Sequence, residues 1–160
     1  MSRAWLFPVI IASLVALVVA SLGATITDLG PWYHSLAQPR WAPPDAAYGV
    51  AWTAIYALAA LAGVNGWLAA PTSRERESLI GLFALNGFLN IVWSLLFFRL
   101  HRPDWAMVEA IALWLSVLAL ILVIWRRSMT GAVMLVPYLL WVTFAGYLTM
   151  TIVRLNGPFF

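Results

Sequence analysis

Four stretches of the chain hold no charged residue: Ala4 to Thr27, Ala46 to Ser73, Ser78 to Phe98 and Ser128 to Val153. A fifth, Trp105 to Trp125, is interrupted only by Glu109. A helix needs about 20 consecutive apolar residues to cross the hydrocarbon core, and every stretch is that long. Lipid offers the backbone no hydrogen-bond partner, so a chain spans it as helices or as a closed barrel. The alternation of a barrel strand is missing here. The stretches therefore predict an all-α, polytopic membrane protein: a bundle of five transmembrane helices over about 5–27, 46–68, 79–99, 104–125 and 131–153.

The charge inventory agrees. Only 9% of residues are charged against 64% hydrophobic, too few to cover a water-soluble domain of this size. The basic residues are all arginine, scattered singly or in pairs, which fits headgroup contacts to the lipid bilayer and argues against a nucleic-acid partner. Cysteine is absent, so thiol chemistry is excluded. Short turns after the second, third and fourth spans make successive helices antiparallel, and residues 1–160 read as one transmembrane domain. Ser21-Leu22-Gly23 resembles a signal-peptide cleavage site, but the run before it is long for one, and the first stretch is expected to span. Arginines divide almost evenly between the two sides, which leaves membrane orientation open.

The first connection, 28–45, holds Gly30-Pro31, Pro39 and Pro43-Pro44, which stop helices, and Trp32, Tyr33 and Trp41, which suit the headgroup level. Asp28 and Asp45 bracket it as candidate helix caps. Thr72 and Glu75 have capping-box spacing at the start of the third span. Within the spans, Asn86, Asn90, Trp93 and Phe97 share one face of the third helix. Trp52, Tyr56, Ala59 and Gly63 share a face of the second, and Pro137, Trp141, Ala145 and Leu148 a face of the fifth, with Tyr138 beside a bend expected at Pro137. An amide side chain in hydrocarbon needs a partner, so these faces point into the bundle. They serve either helix packing or a pocket with aromatic walls and a few polar groups, suited to a flat, mostly apolar small molecule.

Catalytic signals are few. His34 and His101 lie outside the spans with no metal-binding spacing, and no metal site is expected. Glu109, near the start of its helix, is expected to reach the interface or the positive end of the helix dipole, with a proton or cation contact as the alternative. For close helix contact, Ala16, Ala20 and Ala24 on the first helix and Ala59 and Gly63 on the second offer two candidate dimer faces.

Four motifs, in order, resemble those of the tryptophan-rich sensory protein family, also called translocator proteins or peripheral-type benzodiazepine receptors. They are Trp32-Tyr33-His34-Ser35-Leu36-Ala37-Gln38-Pro39-Arg40-Trp41-Ala42-Pro43-Pro44, Ala51-Trp52-Thr53-Ala54-Ile55-Tyr56, Asn90-Ile91-Val92-Trp93-Ser94-Leu95-Leu96-Phe97-Phe98 and Pro137-Tyr138-Leu139-Leu140-Trp141-Val142-Thr143-Phe144-Ala145. The resemblance implies a five-helix bundle, commonly a homodimer, whose pocket under the first connection binds a porphyrin such as protoporphyrin or haem as ligand, with no tightly held cofactor. Carried over by position, Trp32, Tyr33, Trp52, Asn90, Trp93, Trp141 and Ala145 line or close that pocket. Tyr56, Asn86 and Tyr138 join them as candidate ligand contacts. Trp52 and Trp141 match the two tryptophans proposed to act in porphyrin breakdown. Three positions depart from the family pattern: Asn86 replaces a common glutamine, Thr149 a common asparagine, and Met150 stands where the cholesterol-recognition pattern of animal members needs tyrosine. Tyr147 cannot substitute, because Arg154 lies beyond the pattern's reach, so cholesterol is not expected as a partner.

Three functions fit these residues: a membrane tetrapyrrole-binding sensory or transport protein, a light- and oxygen-dependent porphyrin-degrading enzyme using Trp52 and Trp141, and a non-enzymatic assembly or scaffold protein. A bacterial inner-membrane location is expected.

Overall fold

The computed structural model describes residues 5–160. Its helices are α1 (Leu6–Ile26), α2 (Pro31–Ser35), α3 (Asp45–Ala69), α4 (Ser73–Ser94), α5 (Pro103–Trp125), α6 (Met129–Met134) and α7 (Val136–Asn156). A π-helical turn, Leu95–Arg99, extends α4. Five apolar segments are long enough to cross a membrane: Leu6–Ile26, Asp45–Ala69, Ser73–Arg99, Pro103–Trp125 and Met129–Asn156. The chain is thus an all-α, multi-pass membrane protein.

The elements depart from the sequence reading at four places, each with a local cause. The first connection is not wholly irregular, because Pro31 takes the first position of α2, where its missing N–H costs nothing. The third span starts at Ser73 instead of 79. The Thr72 hydroxyl accepts the Glu75 N–H at 3.2 Å, and this cap carries the polar Ser73–Glu77 segment into the helix. The box stays half-made, since the Glu75 carboxylate takes two hydrogen bonds from Arg127, at 2.9 and 3.1 Å. The fifth span is split, not merely bent. Pro137 has no N–H to donate to Val133, so the Leu135 N–H bonds back to Ala132 at 3.0 Å, and a new helix starts from the Leu135 carbonyl, which accepts from Leu139 at 3.1 Å. Neither aspartate of the first connection caps a helix. Asp28 accepts the Gly30 N–H at 2.9 Å, and Asp45 is the first residue of α3, 3.7 Å from His34.

α5 is the central element, packed most extensively against α4 and α7, while α1 lies on α3 and α4. Leu113, Val117, Leu120 and Ile124 of α5 are fully or almost fully buried against Ile55, Leu79 and Leu135. Lipid tails are as apolar as leucine, so close van der Waals fit replaces the hydrophobic effect as the force holding helices together. Gly131 shows that fit: a Cβ there would lie 2.9 Å from the Ile124 side chain and 3.1 Å from Asn65.

Polar groups add a chain of hydrogen bonds across four spans. The Tyr56 hydroxyl donates to Asn90 Oδ1 (2.9 Å), Asn90 Nδ2 to the Tyr138 hydroxyl (3.3 Å), and that hydroxyl to Asn86 Oδ1 (3.0 Å). Asn86 Nδ2 donates to Ser116 Oγ (2.9 Å), which ends the chain on the Leu113 carbonyl (2.7 Å). Asn86, Asn90, Ser116 and Tyr138 are all buried.

The two small-residue faces considered for a dimer lie inside the bundle. Ala20 and Ala24 line its central cavity, and a Cβ on Gly63 would sit 3.5 Å from the Phe83 ring of α4.

Candidate functional site

Between α1, α3, α4, α5 and α7 the bundle encloses a cavity of about 780 Å³, covered by α2 and the adjoining connection. That volume is in the range of small-molecule sites. Trp52, Trp93 and Trp141 form aromatic walls, Tyr33 and Phe97 lie at the covered end, and Tyr56 and Asn90 supply polar atoms. Trp52 meets Trp141 edge to face at 6.4 Å between ring centroids and stacks on Tyr56 at 5.4 Å. Trp93 stacks on Phe97 at 5.2 Å.

Of the ten residues singled out from the sequence, seven line this cavity: Tyr33, Trp52, Tyr56, Asn90, Trp93, Trp141 and Ala145. The other three are displaced from it. Trp32 is turned aside, stacked on His101 at 4.0 Å and edge-on to Phe97 at 5.9 Å. His101, in the short connection after the π turn, has a φ of 52°, in the left-handed region. Asn86 and Tyr138 lie behind the wall, where the hydrogen-bond chain holds α4 against α7 and α5. Glu109 does not reach the interface as expected: both carboxylate oxygens are buried and without a hydrogen-bond partner among the described residues.

Several lining residues escape the sequence reading. α1 contributes Leu17, Ala20, Ser21 and Ala24, whose small or ordinary side chains carry no signature of a site. Phe98 lines the cavity together with Phe97 because the wide π turn brings two consecutive side chains to the inner side, which a regular α-helix does not. Tyr48 had a usable signal, since it stands one turn before Trp52 on the same stripe. Its ring meets Trp141 edge to face at 6.0 Å.

The cover is held at several points. Asn156, at the end of α7, accepts the Ala37 N–H (2.7 Å) and donates to the Ala37 carbonyl (2.9 Å). Trp41 stacks on Tyr147 at 5.3 Å, and His34 approaches Asp45. Arg99 donates to the Thr25 carbonyl and ties the π turn to the end of α1.

Fold and cavity define a class: multi-pass membrane proteins whose spans surround one aromatic-walled chamber under a structured connection. The profile of the TspO/MBR family matches residues 5–155. The chain is similar to "Protein CrtK" of Rhodobacter capsulatus, 38% identical over 86% of this chain and 87% of the relative. It is also similar to "Tryptophan-rich protein TspO" of Chlorobaculum tepidum, 36% identical over 88% and 90%. The "Translocator protein" of Bos taurus is 33% identical over 73% of this chain and 70% of its own. The chain belongs to the TspO/MBR family.

Proposed function

We propose that the protein is a membrane tetrapyrrole-binding sensory or transport protein, in which a porphyrin such as protoporphyrin or haem lies flat in the cavity against Trp52, Trp93 and Trp141. The observation that carries this reading is the cavity itself, about 780 Å³ with three tryptophan walls and few polar groups. Flat aromatic ligands gain most from such stacking surfaces. Replacing Trp141 by alanine is expected to weaken protoporphyrin binding by about 1 to 3 kcal/mol, roughly five- to a hundred-fold. Absorbance titration of the detergent-solubilised protein measures it. Wild-type affinity in both Trp52→Ala and Trp141→Ala would place the ligand elsewhere.

A second reading, light- and oxygen-dependent porphyrin breakdown, is favoured by the edge-to-face contact of Trp52 and Trp141 in one wall. Illuminating the bound complex and following loss of the macrocycle by chromatography separates it from simple binding. The reading also includes a homodimer in a bacterial inner membrane. The lipid-facing side chains of α1 leave room for a partner, and the bacterial relatives support the location.

A further inference from the structure

At the end of the bundle away from the cover, a second cavity of about 220 Å³ lies between the end of α3, the start of α4 and the end of α5. At about 30 Å³ for each water molecule, that is room for a phosphate and the few atoms attached to it. Its floor is apolar and buried, formed by Gly66, Leu79 and Ile124. Gly66 puts no side chain into it, and a Cβ there would lie 3.2 Å from Ile124 and 3.3 Å from Leu79. The rim is polar: Glu75, Ser78, Arg126 and Arg127.

The four rim residues are unequally satisfied. Arg127 donates twice to Glu75, at 2.9 and 3.1 Å, so these two charges offset each other. Ser78 spends its hydroxyl proton on the Arg74 carbonyl at 2.9 Å, and it and Glu75 offer the cavity acceptors only. Arg126 has no hydrogen-bond or ion-pair partner among the described residues. One positive charge is therefore left over at the rim, and a guanidinium matches phosphate oxygens better than any other side chain does.

The surroundings decide where a phosphate would come from. Val123 lines the cavity and is also exposed on the outer face, and exposed Leu122 and Ile80 continue that face toward the middle of the bundle. Trp125, exposed one turn from the rim, suits the headgroup level. A mouth on the lipid side, with apolar surface running from it, fits a headgroup whose chains stay in the bilayer. We propose that this cavity holds the headgroup of an anionic phospholipid. Arg126 and the N–H groups that Arg127 has left bind the phosphodiester, while Glu75 and Ser78 accept from headgroup hydroxyls, which favours glycerol over choline. The site is separate from the tryptophan-walled chamber and does not depend on what that chamber binds.

Native mass spectrometry of the whole chain in detergent tests this, with palmitoyl-oleoyl phosphatidylglycerol against the phosphatidylcholine of the same chains. The glycerol lipid is expected to bind about ten-fold more tightly. Arg126→Gln should remove most of that preference, and so should Val123→Phe, which narrows the mouth without changing charge. Arg74→Gln removes the same charge from outside the cavity and should keep most of it. Because Arg126 has no partner, the lipid-free melting temperature of Arg126→Gln should match the wild type. The proposal is overturned if either Arg126→Gln or Val123→Phe keeps the preference, or if Arg74→Gln lowers it equally, which would mean diffuse surface attraction. Full displacement of the lipid by excess inorganic phosphate at constant ionic strength would make this a site for the free anion and overturn the lipid assignment.

Discussion

Asn90 stands where two roles meet. Its amide accepts from Tyr56 and donates to Tyr138, and it also faces the cavity. Asn86, one turn earlier, makes comparable bonds without facing the cavity. Replacing either by leucine breaks cross-span hydrogen bonds, each worth only about 0.6 to 2 kcal/mol in a membrane because separated helices find other partners. Both variants should therefore fold with a lowered melting temperature. Asn86→Leu is expected to keep wild-type porphyrin affinity in its folded fraction, and Asn90→Leu to lose affinity as well. Calorimetry and titration on one preparation check both, and equal affinity loss in the two would erase the distinction. This difference was not legible in the sequence, because a helical stripe marks a face about a quarter of the circumference wide. Asn86 and Asn90 share that face, and which of them meets a neighbouring helix depends on how α5 and α7 dock. The tryptophans were easier to place, since Trp52 and Trp141 are too large to serve the close contacts that bring helices together. Tyr138 lies off the cavity lining for a related reason: its ring follows Pro137, at the split of the span, and its hydroxyl bonds to Asn86.

Among the elements, the connection over the cavity is the one whose attachment can be loosened without touching the wall. Asn156 makes two hydrogen bonds to Ala37, and Asn156→Ala removes both. At about 0.5 to 1.5 kcal/mol for each bond, opening of the connection should become several- to a hundred-fold more frequent. Amide exchange of residues 31–44 is expected to accelerate while that of α5 stays unchanged, and bound porphyrin should dissociate faster in stopped flow. Unaltered exchange in this segment would mean that Trp41 on Tyr147 and His34 near Asp45 suffice. The spans themselves were legible because lipid imposes length and apolarity on each. The π turn was not: Asn90 to Phe98 reads as continuous helix, and the widening comes from the need to satisfy the backbone ahead of Pro103. There the Leu100 N–H bonds to Leu95 (2.9 Å) and the Arg102 N–H to Leu96 (2.8 Å).

For the whole molecule, the membrane shapes the outside as the cavity shapes the inside. α1 exposes Leu6, Phe7, Ile10, Leu14 and Val18. On this outer surface the sterol-recognition pattern of the family's animal members is incomplete. Met150 has no hydroxyl, and Tyr147 is stacked under Trp41. Cholesterol in bilayers of native-like composition is therefore expected to associate without saturation. A saturable site of submicromolar affinity, displaced by porphyrin, would contradict this. Sequence alone drew the arrangement of spans correctly but left out α1 as a wall of the cavity, because alanine and leucine look the same whether they meet lipid, a partner or a ligand.

The hydrogen-bond chain from Tyr56 to the Leu113 carbonyl runs in one direction, each group donating to the next. Turning any single amide would set two lone pairs or two protons against each other, so the row is locked by its far end, a peptide oxygen that can only accept. The Tyr56 oxygen therefore shows the chamber its electron pairs and not its hydrogen. A guest that brings a proton lengthens the row by one link, whereas a guest with only lone pairs at that spot faces an oxygen whose hydrogen is already committed behind the wall. Specificity at the chamber's surface is in this sense written from the peptide oxygen of Leu113 on a neighbouring span.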